Sequence, residues 1–246
     1  MPISSDFSSI HQQSWTVSFL QCGPNQKIRY TDLCHLLQLT AHEHSVLGGL
    51  SFQDMQVFDQ AWVLSNMYIE IESLPKWEDI IVIKTWIVSM HDAHSVRALE
   101  VWHNDKKIAA ALTLWVVLNT KLRKTEKLAL SFDHFQFFTE KIPTNKTLER
   151  VQHFKEYDLH FKQTVKTSDL DLVHHVNNVK YLEWCLDTMP IDDLSMHQLS
   201  HIHLNYLREM HHNQDFTISQ KKTETAYFFS IATEKTCCLV HLAFKM

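Results

Sequence analysis

The chain has 246 residues, 45% hydrophobic and 21% charged, with a formal net charge of −5. That composition excludes an intrinsically disordered chain and suits one large domain or two of about 120 residues. No apolar run approaches the roughly 20 residues needed to span a bilayer, and a mildly acidic chain without a basic tract argues against nucleic acid as the main partner.

The polar start, Met1 to Ile10, lacks a basic region followed by an apolar one, so no signal peptide is expected. Only three Gly occur (Gly23, Gly48, Gly49), which excludes a Gly-rich phosphate loop. Leu33, Leu36, Leu37, Thr40, Ala41, His44 and Leu47 recur at steps of three and four and predict a helix, with Thr31 or Asp32 as N-cap and Gly48-Gly49 as stop. Strands are predicted at Met67 to Leu74, Ile80 to Val88, His94 to His103 (turning at Asn104-Asp105) and Ala109 to Leu118. The polar, Lys-rich stretch that follows reads as a linker. A strand at His160 to Lys166, a helix from about Asn178 to Met189 and strands at 201–207, 215–221, 225–232 and 236–244 complete the chain.

Helix followed by antiparallel strands therefore occurs twice, and Glu78-Asp79-Ile80 answers Gln214-Asp215-Phe216, 136 residues on. The expected fold class is α+β, two copies of a helix wrapped by an antiparallel sheet. The expected division is 1–128, a linker at 129–152, and 153–246. Five Cys (Cys22, Cys34, Cys185, Cys237, Cys238), odd in number and without a CxxC pair, argue against a disulfide framework and for a reducing, cytoplasmic setting. The 18 His are scattered, without metal-site spacing to Cys, and their full protonation would carry the formal charge from −5 to +13.

The segment richest in chemistry is Ser168-Asp169-Leu170-Asp171-Leu172-Val173-His174-His175-Val176-Asn177-Asn178, immediately before the second helix. If this approach is extended, Asp171, Val173 and His175 point the same way. Asn177 or Asn178 can cap the helix, and its free first-turn N–H groups can stabilise a developing oxyanion. On local chemistry alone the segment reads equally well as a polar turn capping a helix.

The pattern Asp-Leu-Asp-x-x-x-His-Val-Asn-Asn-Val-x-Tyr-x-x-Trp resembles the signature of the acyl–acyl-carrier-protein thioesterases, which are double (tandem) hotdog proteins. Ala61-Trp62-Val63-Leu64-Ser65, then Ile69-Glu70-Ile71 and Leu74-Pro75-x-Trp77, resembles that family's first hotdog, and the likeness runs from about residue 14 to the C-terminus. The resemblance implies catalytic roles for Asp171, His175 and, within Tyr206-Leu207-Arg208-Glu209, Glu209, with a carboxylate and the imidazole activating water. Which carboxylate serves as base stays open. It further implies an oxyanion site at Asn177 and Asn178, an acyl pocket in the first hotdog with Leu37, Ala41, Trp62 and Met67 as candidate lining, and no metal or organic cofactor.

The implied activity is hydrolysis of fatty acyl–acyl carrier protein to a free fatty acid, with acyl carrier protein as partner and a homodimer as a further assembly. The cluster Lys121, Arg123, Lys124 and Lys127 would dock that acidic carrier, aided by Lys141, Lys146 and Arg150. Two positions depart from the family pattern. Val173 stands where Asn is usual, which opens the alternative of a catalytically weak acyl-binding protein, beside that of an acyl-CoA thioesterase. Met210 stands where plant members often carry Cys, which favours activated water over a thiol nucleophile. Aligning the two helix starts at an offset of 146 sets Asn25 against Asp171 and Arg29 against His175, so one active site per chain is expected.

Overall fold

The computed structural model describes residues 3–245, the side chain of Ser195 excepted. It divides into two units: residues up to Ser65 with Glu72–Leu148, and Asn66–Ile71 with Glu149 onward. The division falls inside the stretch read as a linker. Leu128 and Phe135 are buried in the first unit, and Val151 is buried in the second.

In the first unit the elements are β1 (Ile10–Thr16), α1 (Tyr30–Leu47), α2 (Phe52–Gln56), β2 (Gln60–Ile71), β3 (Ile80–His91), β4 (His94–His103), β5 (Lys106–Asn119) and the short β6 (Lys124–Thr125). The strand order is β1-β3-β4-β5-β2, with β6 on β5, and the pairs β1–β3, β3–β4, β4–β5 and β5–β6 are antiparallel. α1 buries Leu33, Leu36, Leu37, Thr40, Ala41 and His44, the predicted face, and packs on β1 and β3. Its N-cap is Arg29, not Thr31 or Asp32. Thr31 is buried within the first turn, while Asp32 accepts from the Arg29 guanidinium at 2.6 Å. The core includes one apolar cluster of Leu50, Met55, Ile87, Met90, Val117, Leu128 and Phe135 and another of Trp86, Val88, Ala98 and Leu112. β1 reads Ile-His-Gln-Gln-Ser-Trp-Thr, too polar to register as a strand by pattern. It holds its place by pairing with β3 from Ile10↔Trp86 to Thr16↔Ile80.

The second unit continues with β7 (Leu159–Thr164), α3 (Asn178–Asp187), α4 (Ile191–Met196), β8 (Leu199–Tyr206), β9 (Asp215–Lys222), β10 (Ala226–Ala232) and β11 (Thr236–Phe244). The order β7-β9-β10-β11-β8 repeats that of the first unit, and Asn66–Ile71, which belongs to this unit, pairs with β8. α3 buries Val179, Tyr181, Leu182, Trp184 and Cys185, so most of its circumference is covered. Trp184 packs on Phe216 with ring centroids 4.3 Å apart. A buried polar seam ties the start of this unit to its sheet: the Asn66 amide donates to the Glu149 carbonyl at 2.9 Å, and the Val151 N–H donates to Asn205 at 2.5 Å. Each unit is thus a helix held against an antiparallel sheet, the α+β tandem hotdog architecture.

Candidate active site

The approach to α3 is a turn, not the extended segment expected. The Asp171 N–H donates to the His175 carbonyl at 2.8 Å, the His174 N–H donates to the Asp171 carbonyl at 3.2 Å, and His174 takes a positive φ of 64°. The Asp171 carboxylate lies inside the turn, where one oxygen accepts the N–H groups of both Val173 and His175 at 3.0 Å. Alternation therefore does not apply here. Val173 contributes its backbone to the turn while its side chain is 38% exposed, so it is not stacked beside Asp171 and His175 as an extended chain would place it.

The turn delivers His175 to Glu209: Nε2 lies 3.5 Å from Oε2, with the two side chains 22% and 24% exposed. Bridges Leu170↔Val176 and His175↔His211 and the bond from the Val176 N–H to the Met210 carbonyl clamp the turn against the segment that carries Glu209. Met210 is fully buried. Arg208, beside Glu209 in sequence, donates to the Thr236 carbonyl at 2.6 Å. Tyr206 donates to the Asn178 carbonyl at 3.0 Å, which ties β8 to the first residue of α3.

At the N-terminus of α3 the Asn177 side-chain oxygen caps the Val179 N–H at 2.9 Å, and its carbonyl accepts from Lys180 at 2.9 Å. The Asn178 N–H has no partner among the described residues, so it is the first-turn donor available to an anion. Sequence reading missed His211, whose ring sits edge-on to His175 with centroids 4.9 Å apart. His211 follows Glu209 by two residues, a spacing that puts both on one side of an extended segment. The ligand atoms of His175, Glu209 and His211 lie within 4.8 Å of one another, a spacing that would also suit a divalent cation.

The same backbone turn exists in the first unit without the chemistry. Gly23 and Lys27 make the bond that Asp171 and His175 make, the Gln26 N–H bonds to the Gly23 carbonyl as His174 does to Asp171, and Gln26 has φ 61° beside 64° for His174. The bridge Cys22↔Ile28 corresponds to Leu170↔Val176, and the bond from Ile28 to Pro75 corresponds to that from Val176 to Met210. The offsets are therefore 148 at the turn and 135 on the following strand, not 146 and 136. Gly23, Lys27 and Leu74 stand where the second unit has Asp171, His175 and Glu209, so the first unit's turn lacks the carboxylates and imidazole of the second.

The first unit instead contains a cavity of about 160 Å³. Ala41 and Trp62 line it, with Leu50, Ile87, Met90 and Trp115. Leu37 and Met67 are both 1% exposed but are not among its walls. Lys121, Arg123, Lys124 and Lys127 lie on and around the β5–β6 hairpin, all exposed, with Leu122 among them 66% exposed and Lys121 paired to Asp59 at 3.0 Å.

Comparison with known proteins adds to this geometry. Residues 8–132 match the family model of the acyl-ACP thioesterase N-terminal domain, and residues 151–244 match that of the C-terminal domain. The chain is 28% identical over 221 residues to the oleoyl-acyl carrier protein thioesterase, chloroplastic, of Coriandrum sativum (82% of this chain, 60% of the relative). It is 27% identical over 236 residues to the palmitoyl-acyl carrier protein thioesterase, chloroplastic, of Gossypium hirsutum (88% and 57%). The chain thus spans about three fifths of the length of these curated relatives. In fold it is similar to an acyl-ACP thioesterase from Bacteroides thetaiotaomicron (TM-score 0.88, 21% identity, 96% and 98% covered). It is also similar to the 12:0-ACP thioesterase from Umbellularia californica (TM-score 0.81, 17% identity, 97% and 98% covered).

Proposed function

Because the chain belongs to the acyl-ACP thioesterase family, we propose that it hydrolyses the thioester of fatty acyl–acyl carrier protein, releasing the free acid and the carrier thiol. The observation that carries this reading is the His175–Glu209 pair at 3.5 Å, set beside the open N-terminus of α3. In the proposed reaction His175 takes a proton from water as the oxygen attacks the thioester carbon, and Glu209 holds the resulting imidazolium. The Asn178 N–H, at the positive end of the helix dipole, stabilises the tetrahedral oxyanion. Collapse breaks the C–S bond, and the thiolate takes the proton back from His175, so one water is consumed and no cofactor is needed. Asp171 is a positioning residue in this scheme, because its carboxylate bonds to the turn that carries His175.

The β5–β6 hairpin is the proposed carrier dock: four exposed cations around an exposed leucine suit an acidic partner with an apolar contact. Five free cysteines suit a reducing, cytoplasmic compartment. A homodimer through sheet edges is the accompanying assembly, to be measured by light scattering. The test is thiol release from lauroyl–acyl carrier protein and lauroyl-CoA. Turnover that falls by about three orders of magnitude in Glu209→Gln and in His175→Ala supports the site, given what loss of a catalytic group typically removes. Charge reversal of Lys121, Lys124 and Lys127 should raise KM several-fold for the carrier substrate and leave the CoA substrate unchanged. Equal shifts for both would reject the dock and favour an acyl-CoA thioesterase.

A further inference from the structure

The cavity of the first unit has a cation in its wall with no counter-ion. Arg97, on β4, is 6% exposed and lines the cavity. Its Nη1 donates to His44 Nδ1 at 2.7 Å and to Thr85 Oγ1 at 3.2 Å, and its Nη2 donates to Ser45 Oγ at 3.3 Å. All three acceptors are neutral, and no carboxylate pairs with it among the described residues. His44 is held neutral by the arrangement: a guanidinium only donates, so Nδ1 must accept, and Nε2 carries the hydrogen that bonds to the Ser8 carbonyl at 3.0 Å. Burial and the adjacent Arg97 push the His44 pKa down to about 2, and burial lowers that of Arg97 to about 10.

A buried, unpaired guanidinium is an expensive group to keep. Of its five donors, three are used. The two that remain, on Nε and Nη2, form the edge that grips a carboxylate with two parallel bonds. A second donor is unspent in the same wall: Gln38 lines the cavity, and its Nε2 is buried with no hydrogen-bond partner. The lining also includes the apolar and aromatic side chains of Ala41, Leu50, Ile87, Met90, Trp62 and Trp115.

We propose that this cavity binds the carboxylate of an aliphatic acid, with Arg97 and Gln38 holding the charged end and Trp62 and Trp115 packing against the chain. Two sources share that chemistry: a free fatty acid, which is the product of the proposed hydrolysis, and an acyl chain that ends in a second carboxylate. Only the naming of those sources rests on the thioesterase reading. The binding itself does not, so it is measured without turnover.

The experiment titrates the full chain with octanoate, octan-1-ol and octylamine, by calorimetry and by the change in tryptophan fluorescence that two aromatic walls should report. Octanoate should bind about tenfold or more tighter than octanol, and octylamine more weakly still, since a charged hydrogen bond exceeds a neutral one. Arg97→Met should abolish the preference for octanoate over octanol. Gln38→Leu, away from the Arg97 contacts, should weaken octanoate several-fold and leave octanol unchanged, which keeps the test open if Arg97→Met does not fold. Equal binding of octanoate and octanol, binding of neither, or a preference that survives Arg97→Met would overturn the proposal. In Glu209→Gln, binding of 7-carboxyheptanoyl-pantetheine over octanoyl-pantetheine would identify the chain-end carboxylate as the ligand. Binding of octanoate alone would identify the released acid. Either result stands whether or not the wild type hydrolyses thioesters.

Discussion

Asp171→Asn separates a positioning carboxylate from a catalytic one. In the structure Oδ1 accepts two backbone N–H groups, from Val173 and His175, each at 3.0 Å. Asn keeps an oxygen at that place and removes only the charge. A bond to a charged acceptor contributes about 1.5–3 kcal/mol and a neutral one about 0.5–1.5. Two such bonds therefore lose roughly 2 kcal/mol from the turn on going to Asn, and more on going to Ala, where both N–H groups lose their partner. Only the part of this that displaces His175 reaches the reaction. The expected fall in kcat/KM is about tenfold or less for Asn and about 10–100-fold for Ala, at 1.4 kcal/mol per decade. The assay is thiol release from lauroyl–acyl carrier protein across pH 5.5–9, with Glu209→Gln alongside. A positioning role leaves the pH profile of Asp171→Asn superimposed on that of the wild type. If Asp171→Asn instead lost activity to the level of Glu209→Gln, or shifted the profile, Asp171 would be the base and the turn assignment would be wrong.

Three further outcomes are expected. His44 is neutral when folded, with a pKa near 2 against about 6.5 unfolded. The unfolded chain therefore binds the extra proton between those values, so the contribution of His44 to stability is complete above pH 6.5 and is lost as pH falls below it. Urea unfolding should show a slope from this group approaching about 1.4 kcal/mol per pH unit, absent in His44→Leu. That variant is less stable at pH 8 but flatter with pH, and an unchanged slope would contradict a neutral, buried His44 in the folded state. Val173→Asn should change hydrolysis by less than about threefold, since Val173 is partly exposed and the bond it makes within the turn is from its N–H. A gain of tenfold or more would show that a side-chain amide here reaches the reaction. Gly48→Ala should lower stability by about 1–3 kcal/mol in thermal unfolding, because a Cβ there would meet Phe135 Cε2 at 2.9 Å and Phe7 at 3.0 Å. A Tm equal to that of the wild type would mean the Phe135 ring moves aside freely.

Local pattern was enough for the elements with strong periodicity. The α1 face, the strands from Ile80 to Leu118 and the four closing strands lie where apolar spacing puts them, because burying one face of a helix or strand is written in steps of three and four or of two. The motif around His175 and the Tyr-Leu-Arg-Glu segment have no such periodicity; they were legible only through their resemblance to a family signature, being short and contiguous. β1 was not, since a polar strand is defined by the partner it bonds to, and that partner lies some 70 residues away. The repeat offsets were misjudged by one or two residues because turns are set by hydrogen bonds that leave little mark on composition. Tertiary structure alone decided the rest: that Asp171 turns inward to the backbone, that His175 meets Glu209 across 34 residues of sequence, and that Arg97 reaches His44 with no acid paired to it among the described residues. The sequence determines which side chains can carry charge or bury. Which of them meet depends on distances between chain segments that only the folded sheet and helix bring together, and those distances decide the chemistry.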